Sequence, residues 1–260
     1  MTGKQTILWP VNVLFRPSSF VELDPDQEAA NTLDAITTAV WLTGFYFVNL
    51  LLYALPLTLA GFGIRDGATT PAAVTAALSP LGVDPGTIWQ FSSALVTNSA
   101  FLLLATILTF VTFHVGMVLT RSSKGVIRSL QAVSYSSGIY LAVMFSTVVY
   151  VSTESGLAVA EEFLLWIQTA FIQFFIDLVG TDLVPPVEAS RPELAAMSTL
   201  EQAILTVLLL SMMYFLYVLY VGARTTHDAT RFEALVATGF VLLSPALYVL
   251  GAIYLTVGAL

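Results

Sequence analysis

Residues 91–119 read FSSALVTNSAFLLLATILTFVTFHVGMVL, a stretch without Asp, Glu, Lys or Arg. It is longer than the roughly 20 residues a helix needs to cross a hydrocarbon core. Backbone amides in lipid have to be satisfied within their own segment, so such a stretch is expected as a spanning helix. Four others pass the same test: Ile36 to Gly61, Ala132 to Thr153, Ala203 to Ala223 and Ala234 to Leu260. The expected fold class is all-α, a polytopic membrane helix bundle of about five transmembrane helices. Pro56 and Pro245 lie inside the first and last stretches and are expected to kink those helices without ending them.

Composition points the same way. Of 260 residues, 57% are hydrophobic and 10% charged, and the mean hydropathy is +0.85. A soluble domain is about a quarter charged, so a water-soluble fold is excluded. A single membrane domain is expected over 36–260, preceded by a cytoplasmic N-terminal segment, 1–35. Within that segment the apolar run from Ile7 to Phe15 is too short and interrupted for a signal peptide, and is expected to lie on the membrane surface. Absence of cysteine removes disulfides, thiolate metal sites and cysteine nucleophiles together. The net charge of -8, with Lys4 and Lys124 the only lysines, argues against nucleic acid as a partner. Such an acid-rich, Lys-poor chain fits a halophilic archaeal origin, or equally an ordinary acidic loop outside the membrane.

Loop charge sets the expected orientation. Arg121, Lys124 and Arg128 fill the link between spans two and three with no acid among them, and Arg224 and Arg231 flank the link between four and five. Both links should be cytoplasmic. The segment between spans three and four carries Glu154, Glu161, Glu162, Asp177, Asp182, Glu188, Glu193 and Glu201 against Arg191 alone, so it belongs outside. The N-terminus is then cytoplasmic and the C-terminus external in a multi-pass protein of the cell membrane. Within the acidic segment, EEFLLWIQTAFIQFFIDLVG (161–180) places Phe163, Leu164, Ile167, Phe171, Phe174 and Phe175 on one apolar arc and its acids and glutamines on the other. That pattern predicts an amphipathic helix at the outer interface or docked on the bundle. A sixth crossing there would put Arg224 and Arg231 outside, against the charge bias.

Little in the chain suggests reaction chemistry. The five spans contain no acid, lysine or arginine, which disfavours proton- or ion-coupled transport. There is no HExxH, no GxSxG elbow and no phosphate-cradling loop, so metal, nucleotide and cofactor are not expected, nor is enzymatic activity. His114 near the end of span two and His227 in the link after span four can share one membrane face. A common metal there would need further ligands, and only Asp228 is close in sequence. Ser134, Ser136, Ser137 and Gly138 would let span three approach a neighbour closely.

Three ordered stretches carry a resemblance. The first is Phe15-Arg16-Pro17-Ser18-Ser19-Phe20, with its P-x-x-F element before span one. The second runs from His114-Val115-Gly116 through Arg121-Ser122-Ser123-Lys124-Gly125 to Ser129-Leu130-Gln131-Ala132-Val133-Ser134-Tyr135-Ser136-Ser137-Gly138. The third is Leu219 to Leu235, holding Arg224, His227 and Arg231. Together they resemble the YIP family, the Ypt-interacting-protein membrane domain, whose members have five helices and a cytoplasmic N-terminus. The DLYGP element of eukaryotic members has no counterpart, and Gly138-Ile139-Tyr140 stands where a proline is expected, so Rab-type GTPase binding is not carried over. The resemblance implies a non-enzymatic scaffold, adaptor or membrane-organising protein with a trafficking- or export-like role. Its partners would be membrane lipid and another membrane or cytoplasmic protein, and its family-motif positions are His114, Tyr135, Ser136, Gly138, Arg224, His227 and Arg231. The alternative expectation is a passive permease subunit for a small neutral solute or lipid, its path lined by Asn98, Thr106, Thr109 and Ser134.

Overall fold

The computed structural model describes residues 53–64, 69–139 and 198–245 without interruption. It also describes positions 15–17, 36, 40, 43–44, 50–51, 148, 166, 169–170, 173–174, 177, 247–248 and 251. Among these residues regular structure is entirely helical. Helix α1 spans Ala72–Leu78, α2 Pro85–Leu119, α3 Val126–Ser136, α4 Thr199–Thr226 and α5 Arg231–Val241, and residues 53–59 are helical as well. Two of these, α2 and α4, are long and apolar enough to cross a membrane, with mean hydropathies of 2.2 and 2.3 in their most apolar windows.

Local chemistry explains the boundaries. Helix α2 starts six residues before the apolar run at Phe91 because Asp84 is there to begin it. Its carboxylate accepts the Gly86 and Thr87 amides at 3.2 and 3.1 Å and the Thr87 hydroxyl at 2.6 Å. Pro85, with no amide to leave unpaired, occupies the first helical position. The Thr87 hydroxyl and amide, with the Gly86 amide, hold the Asp84 carboxyl below its usual range. Helices α4 and α5 each open on a capping box. Ser198 and Glu201 exchange side-chain and backbone bonds at 2.7 and 3.3 Å, and Thr230 and Glu233 do so at 2.7 and 3.4 Å. Glu201, expected simply as one acid of the external segment, is thereby a buried helix cap.

The third predicted span differs at its start. Helix α3 begins at Val126, so Arg128 stands in its first turn and not in the connector. The helix closes at Ser136, and a turn follows at 137–138. Residues 140–147 and 149–153 of that span, the segment 1–14, and most of 161–180 lie outside the described residues. The positions described within 161–180 are helical, and Gln173 donates to Asp177 one turn on at 2.8 Å.

The chain divides into two compact units, Asp26–Ile107 and Met1–Pro25 with Leu108–Leu260. In the first, the 53–59 helix runs through Pro56 and ends in a turn that puts Gly61 at φ 95°, with the Phe62 amide on the Leu57 carbonyl and the Gly61 amide on Thr58. Asn98 of α2 secures that end: its side-chain amide donates to the Thr58 hydroxyl at 3.0 Å and to the Phe62 carbonyl at 3.1 Å.

In the second unit α4 packs against α3 and α5 around Phe113, Met117, Val133, Leu219 and Ala223, all almost wholly buried. The tightest approach is between α2 and α5, where a Cβ added to Gly116 would fall 2.7 Å from the Ala237 Cα. The small residues expected to let span three approach a neighbour, Ser134, Ser136, Ser137 and Gly138, are buried, and Ser129, Ala132, Val133 and Ser136 form one buried face of α3. After α5, Pro245 has no amide for the Val241 carbonyl. The Ser244 hydroxyl takes that place, and also lies 3.1 Å from the Thr112 hydroxyl. The Leu242 and Leu243 amides tighten the turn onto Gly239 and Phe240, so α5 ends at Val241 and helical residues resume at Ser244 and Pro245.

Two glycine variants separate packing from helix propensity. Gly116→Ala is expected to destabilise the protein by about 1–3 kcal/mol, since the obstructing atoms are backbone. Gly239→Ala, with nothing near its Cβ, should be neutral or gain up to about 1 kcal/mol. Thermal unfolding in detergent compares them.

Candidate functional site

The described polar residues concentrate where two connectors meet in the second unit. One is 120–125, between α2 and α3; the other is 227–230, between α4 and α5. Both reverse the chain through a left-handed residue that is not glycine, Arg121 at φ 58° and Asp228 at φ 52°. At Arg121 the turn is fully bonded: the Ser122 amide reaches the Met117 carbonyl at 3.1 Å and the Arg121 amide reaches Val118 at 3.0 Å. Asp tolerates this backbone region; arginine does so at a cost of about 1–2 kcal/mol that glycine would avoid.

His227 joins the connectors. It is the C-terminal cap of α4, its amide on the Ala223 carbonyl at 3.2 Å, and its ring is buried to 2% exposure. The Lys124 backbone amide donates to its Nδ1 at 3.0 Å. Nδ1 must then hold a lone pair, so the proton of the neutral ring is on Nε2. Nε2 lies 3.1 Å from the fully buried Ser129 Oγ, and Ser129 Oγ lies 2.9 Å from His114 Nδ1. One direction of donation satisfies every atom: Lys124 amide to His227, His227 Nε2 to Ser129, Ser129 hydroxyl to His114. Phe113 tilts against the His227 ring at 6.3 Å between centroids, and Phe110 stacks on His114 at 6.0 Å.

Charges surround the relay without entering it. Lys124 Nζ pairs with the Asp228 carboxylate, and Arg128 Nη1 donates to the Thr226 carbonyl at 3.1 Å. An exposed ion pair is worth about 0–1 kcal/mol, whereas a buried donor or acceptor left unmade costs about 1–3 kcal/mol. The imidazole, not the ion pair, therefore decides whether the connectors stay joined. Burial pushes the His227 pKa down to about 4, with His114, Arg128 and Lys124 acting in the same direction and Asp228 against them. The bond from Lys124 holds the Asp228 carboxyl below its ordinary range.

This wiring limits the chemistry. A serine between two imidazoles resembles a nucleophile with its base: His227 donates to Ser129 and so cannot take its proton, and although His114 accepts from the Ser129 hydroxyl, that hydroxyl is fully buried and closed to a substrate. A metal on Nε2 would require that nitrogen to be bare, and the Lys124 amide already claims the other lone pair. Among the described residues no three His, Asp or Glu side chains are grouped to hold a metal.

Of the residues singled out from sequence, the structure brings His114 and His227 together, with Arg224 in the last turn of α4 and Arg231 opening α5. Tyr135 and Ser136, about two turns further along α3, and Gly138, in the turn after it, are buried, with the Ser136 hydroxyl on the Ala132 carbonyl at 2.8 Å. Ser129, the bridging atom, was missed. Its signal was its register: it opens the stripe Ser129, Ala132, Val133, Ser136 at the end nearest the connector.

Lowering pH should loosen this joint. A histidine whose folded pKa lies below its unfolded value of about 6.5 adds stability fully above that value, and the contribution is lost as pH falls from about 6.5 towards 4. His227→Gln should flatten that window, and Ser129→Ala should cost about 1–3 kcal/mol at neutral pH by stranding two ring nitrogens. Thermal unfolding against pH reads both.

Compared with known proteins, the chain matches no family model, no curated protein and no solved structure.

Proposed function

We propose that this chain is a non-enzymatic, five-span membrane protein of YIP type that serves as a scaffold, adaptor or membrane-organising factor through its cytoplasmic connectors. The observation that carries the reading is the joint itself: two cationic connectors fastened to each other by a neutral relay, on helices whose sides are uncharged. A catalyst needs an accessible reacting group, and Ser129 has none of its surface exposed. A binding platform needs a fixed pair of loops, which the joint supplies.

The sides of α2 and α4 support a membrane setting. Val96, Phe101 and Leu104 on α2, and Leu210, Met212 and Met213 on α4, are exposed. Side chains of that size are at home against acyl chains and costly in water. Polar groups in the described helices are largely spent on structure, Asn98 on the end of the 53–59 helix and Thr112 on Leu108 and Ser244.

A passive permease subunit is the second reading. It is favoured by the Thr106 hydroxyl, which is buried with no partner among the described residues and lies on the path expected for a small neutral solute.

The absence of cysteine makes the topology directly testable. Single variants Ser123→Cys and Phe232→Cys are expected to react with a membrane-impermeant maleimide only after permeabilisation, and Ser190→Cys in intact cells. Labelling of Phe232→Cys from outside would remove the five-span reading. Crosslinking in native membranes should retrieve a discrete protein for an adaptor, while solute-driven swelling of liposomes bearing the pure chain would favour the permease.

A further inference from the structure

Charge is distributed very unevenly in this protein. Residues 118–128 and 224–235 hold five of its nine Lys and Arg but only two of its 17 Asp and Glu, Asp228 and Glu233. Both acids are engaged, Asp228 with Lys124 and Glu233 with the Thr230 amide of its capping box. Lys124 and Arg128 are engaged as well. Arg121, Arg224 and Arg231 are exposed, and no hydrogen bond or ion pair of any of their three side chains is found among the described residues. The joint through His227 keeps these three on neighbouring pieces of backbone. Arg121 lies three residues before Lys124, whose amide bonds His227, and Arg224 and Arg231 lie three before and four after His227.

Two features say what this surface meets. Arg121 occupies a left-handed position where glycine would be less strained, so the cation is held there against a local cost. Large apolar side chains adjoin the cations: Leu119 and Val126 flank the first connector at 62% and 54% exposure, and Phe232 and Leu235 follow Arg231 at 72% and 63%. An acidic soluble partner would match the charge and leave these side chains in water. A phospholipid layer matches both, since its phosphates lie just above its acyl chains.

We infer that Arg121, Arg224 and Arg231 form a binding surface for anionic phospholipid headgroups, with Leu119, Val126, Phe232 and Leu235 seated at the acyl boundary beside them. The inference deepens the proposed membrane role and rests on it. It gives the joint a purpose, because separate connectors would present three single charges and joined ones present a cluster. Asp228, held by Lys124, adds a competing anion at the edge of the cluster.

The test uses the full chain in detergent micelles, with native mass spectrometry counting bound phosphatidylglycerol or phosphatidylcholine of identical acyl chains. The unmodified protein should retain phosphatidylglycerol preferentially at 0.05 M salt, with the preference falling at 0.5 M as screening shortens. Arg121→Gln, Arg224→Gln and Arg231→Gln should each weaken that preference about fivefold, and lysine at the same three positions should keep it. The salt and lipid comparison on unmodified protein stands even where a variant fails to fold. Equal retention of the two lipids would overturn the inference, as would an undiminished preference in the folded triple glutamine variant. Retention of a polyglutamate peptide without any lipid preference would overturn it in favour of an acidic protein partner. None of these outcomes touches the membrane reading, which fails separately if the chain is soluble without detergent.

Discussion

A single neutral imidazole holds together the part of this protein that carries its polar chemistry. His227 accepts the Lys124 amide on one ring nitrogen and donates from the other to Ser129, whose hydroxyl donates in turn to His114. His227 and Ser129 are almost wholly buried, so an unmade bond there costs more than the exposed Lys124 and Asp228 pair can return. The ring must also stay uncharged, because a proton on Nδ1 would face the Lys124 amide donor to donor. Burial and the neighbouring cations keep it so.

Elsewhere in the described helices the polar groups are arranged as hydrocarbon would require. Polar groups that cannot find water find each other or the backbone: Asn98 closes a helix end, the Ser244 hydroxyl replaces the amide that Pro245 lacks, and Thr112 meets Ser244 across the core. In a membrane, helices would gain little from burying apolar surface and more from close approach. The contact of Gly116 with Ala237 follows from that, and so does the run of small buried residues on α3. The same pressure leaves large side chains facing outward on α2 and α4.

The cations occupy the opposite regime. Arg121, Arg224 and Arg231 remain at the surface while the acids near them are bound into a capping box and an ion pair. A chain with an overall charge of -8 thus shows a cationic surface at one place. The connectors are short, and their turns are closed by backbone bonds, so the placement of these charges is a property of the fold.

Helical class and the identity of α2 and α4 were legible in the amino-acid sequence, because an uncharged run longer than the hydrocarbon thickness leaves a backbone few other ways to satisfy its amides. The caps at Asp84-Pro85, Ser198 to Glu201 and Thr230 to Glu233 were not singled out, with Glu201 expected only as an acid of the external segment, although a cap draws on residues within a few positions of one another. The meeting of His114, Ser129 and His227 was not legible. Their separations along the chain, 15 and 98 residues, exceed any local rule, and a serine on a helix stripe looks alike whether it bridges two rings or merely packs. Which ring nitrogen holds the proton is decided by the Lys124 amide, a backbone group that every residue but proline possesses and no sequence pattern marks. Composition and periodicity thus determined that the chain is helical and lipid-compatible; only tertiary packing, by bringing one amide to one imidazole, decided that its two basic connectors act as a unit.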